Sequence, residues 1–378
     1  MNPLKNKETI GAGLAIFSMF FGAGNIIYPL ALGSQALDKI PSALLGLLLT
    51  AVIIPFLGLF AIFLYRGNVQ EFFGRMGKRT GLLVALLIIS LLGPFGSTPR
   101  CIALAYSTLK MSFPSLSAAI FSAVACIIIF FFAYKKNRLL DLLGYVLTPF
   151  LVICLAIIIF KGLFSAPDLT LTNESLSHMN ALWYGLHEGY NTMDLLAAFF
   201  FAPVIISSMQ RKVEGHQEIS PLRFALQASL IGAFLLSVIY IGFGYLAYYY
   251  TSQIGHISSD QLLAAISLHV LGEHGGIIVS ITVVLACLTT AIALIAAFTE
   301  FMYKEVLTEK IKYNHVMIGA LVLTFFISTF EFQGISRFLS PILQICYPAL
   351  IILTIANVTQ QLYQIISKKK SVLEINEL

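Results

Sequence analysis

Gly22-Ala23-Gly24-Asn25, followed a turn later by Pro29, lies in the middle of the first long apolar run of this chain. Glycine costs a helix backbone entropy, and proline removes an N–H and crowds the preceding turn. Inside hydrocarbon, backbone groups freed in this way are tolerated only where they line a cavity or bind something. An unwound stretch here offers amide N–H groups to a carboxylate and carbonyls to a cation. Glycines at this spacing also serve close helix packing. The Asn25 side chain, a hydrogen-bonding group at the same depth, favours the binding use.

The rest of the chain supplies the hydrocarbon. Of its 378 residues 58% are hydrophobic and only 11% charged, and the mean hydropathy is +0.89. A soluble domain is about one-quarter charged, so lipid must be the solvent for most of this surface. Apolar runs of roughly 20 residues, the length that crosses a bilayer, fall at 10–33, 41–65, 81–109, 115–134, 141–162, 184–209, 224–250, 276–303, 314–331 and 336–364. The first is too long for the apolar core of a signal peptide and reads as an uncleaved span.

With the N-terminus inside, 18 of the 23 Lys and Arg fall in cytoplasmic segments, among them Arg66, Arg75, Lys78, Arg79, the group Lys135, Lys136, Arg138, and Lys368-Lys369-Lys370. A miscounted span would scramble that alternation, so both termini are expected in the cytoplasm of a cell whose inner membrane holds the chain. The net charge of +5 is thereby a topology signal and not a nucleic-acid patch. Cys101, Cys126, Cys154, Cys287 and Cys346 all lie in apolar segments without a Cys-x-x-Cys pair, and read as packing residues.

Ten spans divide into five and five, and an odd-numbered unit repeated in tandem must be inverted. The expected fold is an all-α membrane protein of about ten transmembrane helices, built as two inverted five-helix repeats over about 10–162 and 184–364, with helices one and six broken at mid-membrane. The whole of 1–378 is expected to form a single transmembrane domain. Short echoes agree: Leu147-Thr148-Pro149 with Leu339-Ser340-Pro341, and Ser97-Thr98 with Thr289-Thr290.

Two further stretches carry polar chemistry. Span six contains Glu188-Gly189-Tyr190-Asn191-Thr192-Met193-Asp194. Asp194, deep in the span, is a functional candidate by default: it can accept a cation, relay a proton, or pair with Arg100, the basic residue well inside span three. Span eight contains Ala286-Cys287-Leu288-Thr289-Thr290-Ala291, where two hydroxyls and the Ala286 carbonyl offer three oxygens to sodium, with carbonyls of the broken first helix adding more. No nucleophile elbow, phosphate loop or His/Cys cluster is present, which disfavours an enzyme, and the spans carry too few polar faces for a channel.

Four stretches together resemble the bacterial branched-chain amino acid:cation symporter family: Phe20-Phe21-Gly22-Ala23-Gly24-Asn25 with Pro29, Gly93-Pro94 through Thr98-Pro99-Arg100, Glu188-Gly189-Tyr190 through Thr192-Met193-Asp194, and Ala286 through Ala291. The resemblance covers nearly the whole chain. It implies sodium-driven uptake of leucine, isoleucine and valine in a leucine-transporter-type fold, with no cofactor and with the amino acid, sodium and the bilayer as partners. On that model the amides of Gly22, Ala23 and Gly24, with Asn25, hold the substrate carboxylate; Tyr190, Asn191, Thr192 and Asp194 surround its amine or side chain; and Phe21, Ala286, Thr289 and Thr290 bind sodium. Spans one, two, six and seven would rock against the rest. Members usually carry two further spans. Tyr28 stands where the family commonly has phenylalanine and Asn191 where leucine is common, so a shifted substrate preference is expected. The alternative is a proton-coupled amino-acid transporter of related fold, with Asp194 as the titrating group.

Overall fold

The computed structural model describes residues 3–134, 148–167, 174–213, 221–254 and 257–376, and every regular element among them is a helix. Lys135, Lys136, Arg138 and Leu147 lie outside the described residues. Span one is the pair Pro3–Phe20 and Ala23–Ala36. Span two runs from Ile40–Leu48 through a π-helical turn into Ile54–Leu64. A short helix, Val69–Gly74, leads to span three, Lys78–Leu92 and Ser97–Ser112. Spans four and five are Ala118–Tyr134 and Thr148–Phe164.

The second half follows the same order. Span six is His178–Asn191 and Asp194–Val213, bent by 41° at the break. Span seven is Pro221–Ile254, span nine Tyr313–Ser328 and span ten Glu331–Asn376. Span eight belongs to Leu262–Phe301, a run that bends at Gly272, whose φ of 74° only glycine adopts without strain. The helix ahead of that bend, from Leu262, extends the expected span 276–303 at its N-terminal side. Among the described residues, five helical runs are each long and apolar enough to cross a bilayer, and the bent pair makes a sixth; Glu8–Phe20, Ala118–Tyr134, Thr148–Phe164 and Tyr313–Ser328 are apolar but shorter.

The packing repeats itself. Span one lies along span seven as span six lies along span two, and spans three and eight face each other. Span five packs on span eight as span ten packs on span three, and spans four and nine meet. Each pairing maps onto its partner when one five-helix unit is exchanged for the other, as two repeats require, and an odd number of spans per unit makes them inverted. Glycines mark the crossings. A Cβ on Gly13 of span one would lie 2.6 Å from Cβ of Ile231 in span seven; a Cβ on Gly185 of span six would overlap the Ala43 carbonyl of span two and come within 3.0 Å of the Leu47 nitrogen. Small residues at these points let the backbones approach, which is how helices bind one another in lipid.

Both breaks fall where the sequence places them, at Phe21-Gly22 and Thr192-Met193. Pro29, by contrast, does not end a helix: Ala23–Ala36 passes through it. Proline's missing N–H leaves only the Asn25 carbonyl without its partner one turn back, and that residue is already part of the break.

Candidate functional site

Gly22 is extended, at φ −120° and ψ −162°, and turns the chain from the first half of span one into the second. Its N–H donates to Asn25 Oδ1 at 2.9 Å, so the Asn25 side chain reaches back over the first turn as a cap. The Asn25 Nδ2 then donates to Asp194 Oδ2 at 2.7 Å and to the Tyr240 hydroxyl of span seven. The Tyr240 hydroxyl donates to the same Oδ2 at 3.0 Å. One carboxylate oxygen thereby ties the break of span one to the break of span six and to span seven. Asn25 and Asp194 are both buried.

The second break is held by its own contacts. Met193 takes φ 66°, a conformation costly for a side-chain-bearing residue and kept only where neighbours impose it. The Met193 N–H donates to the Tyr190 carbonyl at 3.1 Å, and the Thr192 hydroxyl to the Gly189 carbonyl at 2.8 Å. The first amides of Asp194–Val213 find side chains: Asp194 N–H the Thr192 hydroxyl at 3.4 Å, Leu195 N–H the Tyr347 hydroxyl of span ten at 2.9 Å. Asp194 opens that half-helix, where the positive end of the backbone dipole favours a carboxylate. The two breaks touch: a Cβ on Gly24 would sit 3.0 Å from the Thr192 Cα.

A small cavity lies between the breaks, lined by Gly22 to Asn25, Thr192 to Asp194, Ser97 and Thr290, with apolar walls from Met19, Phe20, Leu92, Ala197, Phe201 and Leu294. Its volume, about 20 Å³, exceeds the roughly 10–15 Å³ that a water molecule needs.

The expected site residues divide accordingly. Gly22, Ala23, Gly24, Asn25, Thr192, Asp194 and Thr290 all reach this cavity. Tyr190 and Asn191 do not line it: the Tyr190 ring packs on Tyr347 with centroids 4.8 Å apart and planes tilted by 30°, and the Asn191 amide donates to Glu188 Oε2 at 3.2 Å. Of the three amides expected for a carboxylate, that of Gly22 is taken by Asn25 and that of Ala23 lies against the Cys101 sulfur, leaving that of Gly24. In the expected sodium set, the Thr290 hydroxyl crosses to the Phe21 carbonyl at 3.2 Å, whereas the Thr289 hydroxyl bonds back within its own helix to the Ala286 carbonyl at 2.8 Å.

Asp194 and Arg100 do not pair. Arg100 sits on the other side of the span-six break, donating to the Asn191 carbonyl at 3.0 Å, to the Met193 sulfur at 3.3 Å and to the Tyr28 hydroxyl. Equal depth in the sequence said nothing of which side of the break each charge would face. Tyr240 and Tyr347, which complete both breaks, were not singled out from the sequence. A hydroxyl-bearing ring in an apolar run was the only signal, and the run contains several.

Comparison with known proteins agrees with this architecture. Residues 5–375 match the family model described as "Branched-chain amino acid transport protein". The chain is 29% identical over 360 residues to the branched-chain amino acid permease BrnQ of Corynebacterium glutamicum, covering 95% of this chain and 82% of that one. It is 29% identical over 366 residues to the branched-chain amino acid permease BraB of Bacillus subtilis, covering 95% and 81%. Among solved structures it resembles Mhp1, a nucleobase-cation-symport-1 family transporter, in a closed conformation with bromovinylhydantoin bound (TM-score 0.62, 15% identity, 92% of this chain and 77% of that one). It also resembles a Na+-coupled sialic acid symporter in a substrate-bound outward-open state (TM-score 0.58, 10% identity, 92% and 78%). At such identities the likeness is one of fold.

Proposed function

The chain belongs to the branched-chain amino acid transport protein family, and on that premise we propose that it carries leucine, isoleucine and valine by sodium-coupled symport through the cavity between the two breaks. Membership makes it a transport protein and not an enzyme. The observation that carries the finer reading is the pairing of one buried carboxylate, Asp194, with two half-helix N-termini and apolar walls around one cavity. A zwitterion with an aliphatic side chain needs those three features.

The roles follow from charge. The substrate ammonium meets Asp194, whose carboxylate is held by Asn25 and Tyr240 through Oδ2 at the edge of the cavity. The substrate carboxylate goes to the N-terminal end of Ala23–Ala36, where the Gly24 amide and the helix dipole favour an anion and the Asn25 side chain can yield the Gly22 amide. Leu92, Phe201 and Leu294 offer the side chain an apolar wall. Such a wall discriminates weakly, by about 1–3 kcal/mol per methylene, so all three branched substrates compete. Sodium is met by the Phe21 carbonyl and the Thr290 hydroxyl, with Thr289 beside it and the Ala286 carbonyl one turn back on the same helix. Oxygen donors of this kind suit a hard cation.

One observation favours the proton-coupled reading: Asp194 is buried among neutral partners, and no guanidinium among the described residues pairs with it. Labelled leucine uptake into proteoliposomes separates the two. Sodium coupling requires accumulation under an imposed sodium gradient at constant pH on both sides. Accumulation driven by a pH gradient alone, with sodium absent, would replace sodium with the proton; no accumulation of any branched-chain amino acid under either gradient would overturn the transport reading.

A further inference from the structure

Each broken span ends its first half at the site, and a helix end of that kind presents carbonyls without partners and the negative pole of the backbone dipole. Past the end of Pro3–Phe20, the Phe21 carbonyl receives the Thr290 hydroxyl of span eight at 3.2 Å. At the end of His178–Asn191, the Asn191 carbonyl receives the Arg100 guanidinium of span three at 3.0 Å. Spans three and eight hold equivalent places in the two repeats, as do spans one and six. The same contact is therefore made twice with different chemistry, a neutral hydroxyl on one side and a fixed positive charge on the other.

Arg100 is only 2% exposed, and among the described residues it forms no ion pair with a carboxylate and its Nε has no partner. A buried cation persists only where fixed dipoles stand in for water. Here they are the Asn191 carbonyl, the Tyr28 hydroxyl, the Met193 sulfur and the faces of the Tyr28 and Phe332 rings, each 5.0 Å from the guanidinium carbon. These groups come from the second half of span one, from span six at its break, and from the start of span ten. The Tyr28 hydroxyl also lies 3.3 Å from the Ser336 hydroxyl of span ten. One side chain on span three joins three other spans, all on the face of the molecule where span one ends.

We propose that Arg100 is a resident cation that latches this face closed, as a permanent counterpart of the exchangeable cation at Thr290. The inference rests on the transport reading of the site. A hydroxyl leaves the half-helix of span one to be completed by an ion that comes and goes. The guanidinium completes the half-helix of span six at all times, so the coupling ion governs one face and Arg100 secures the other. Arg100 is in this sense a positioning residue, acting on the spans that enclose the substrate and not on the substrate.

The test uses the full chain with Arg100→Gln, Arg100→Lys and Phe332→Leu, each also combined with Ser336→Cys as a thiol reporter; four of the five native cysteines are buried and Cys346 is half-buried. Three quantities are read: equilibrium binding of labelled leucine against sodium, leucine uptake in proteoliposomes, and maleimide labelling of the reporter thiol with and without leucine plus sodium. In Arg100→Gln, leucine affinity should stay within about threefold of wild type, at a hydrogen bond's worth or less, with unchanged sodium dependence. Uptake should fall at least tenfold, and leucine should no longer slow labelling. Arg100→Lys restores the charge without the fork that reaches several acceptors, and should recover uptake only in part. Uptake at the wild-type level in Arg100→Gln would overturn the latch, as would loss of leucine binding by a variant that melts like wild type. If Arg100→Gln does not fold, wild-type uptake in both Arg100→Lys and Phe332→Leu overturns it. Failure of the wild-type chain to bind leucine at any sodium concentration would instead remove the transport reading itself.

Discussion

Thr289 and Thr290 are neighbours with different tasks. The Thr290 hydroxyl leaves its helix for the Phe21 carbonyl, while that of Thr289 is spent on the Ala286 carbonyl one turn back, the usual habit of a threonine in a helix. Thr290→Ala should therefore raise the sodium concentration for half-maximal leucine uptake by about tenfold, near the top of the range for one hydrogen bond, and Thr289→Ala by no more than about threefold. A sodium titration showing equal shifts would contradict the assignment. Asp194→Asn keeps an oxygen for Asn25 and Tyr240 but removes the charge for the substrate amine. Uptake should drop at least tenfold while the melting temperature in detergent moves by only a few degrees; a full-rate variant would dismiss Asp194 from the site. At this scale the sequence was readable in part. Gly22, Asn25 and Asp194 declare themselves as helix breakers and polar groups at apolar depth. Tyr240 does not, because its role depends on span seven lying against span one, and no local pattern encodes that.

Helix crossings carry the next level. Gly185 meets span two through backbone atoms, which cannot swing aside as a side chain can. Gly185→Ala should cost about 1–3 kcal/mol, the range for overpacking a well-filled contact, seen as a lower melting temperature. Gly319, with nothing near its Cβ position, is the control: Gly319→Ala should be neutral or stabilising by up to about 1 kcal/mol. Similar losses at both positions would mean that the seam between spans two and six is not tightly closed. The breaks were legible because glycines and polar residues interrupt otherwise continuous apolar runs. The bend at Gly272 was not, since a single glycine at the edge of an apolar run reads equally as the end of a loop.

Across the whole molecule, Val69–Gly74 joins spans two and three, which belong to the two bodies expected to move against each other. Its anchor is Asn357 of span ten, buried, accepting from Arg75 Nη1 at 2.6 Å and donating to the Phe72 carbonyl at 3.0 Å. Asn357→Leu strands both partners, at about 1–3 kcal/mol. The expected outcome is a lower melting temperature and a several-fold slower maximal uptake, with half-saturation by leucine unchanged; a raised half-saturation alone would place Asn357 in substrate recognition. The ten-span count and the pairing of repeats came from charge alternation and run length, which report on lipid and are local. Which side chains meet across repeats is a long-range matter, and for that reason Arg100, Tyr28 and Asn191 each stand out in the sequence while the contact that joins them does not.

The cavity between the breaks has one more consequence. With room for a water molecule and little else, it cannot lodge a branched aliphatic side chain until its walls separate. Entry of leucine is then a breathing event of the packed helices before it is a binding event. Capture should run far below the diffusional encounter rate, quicken steeply on warming, and slow in bilayers whose lipids resist lateral expansion.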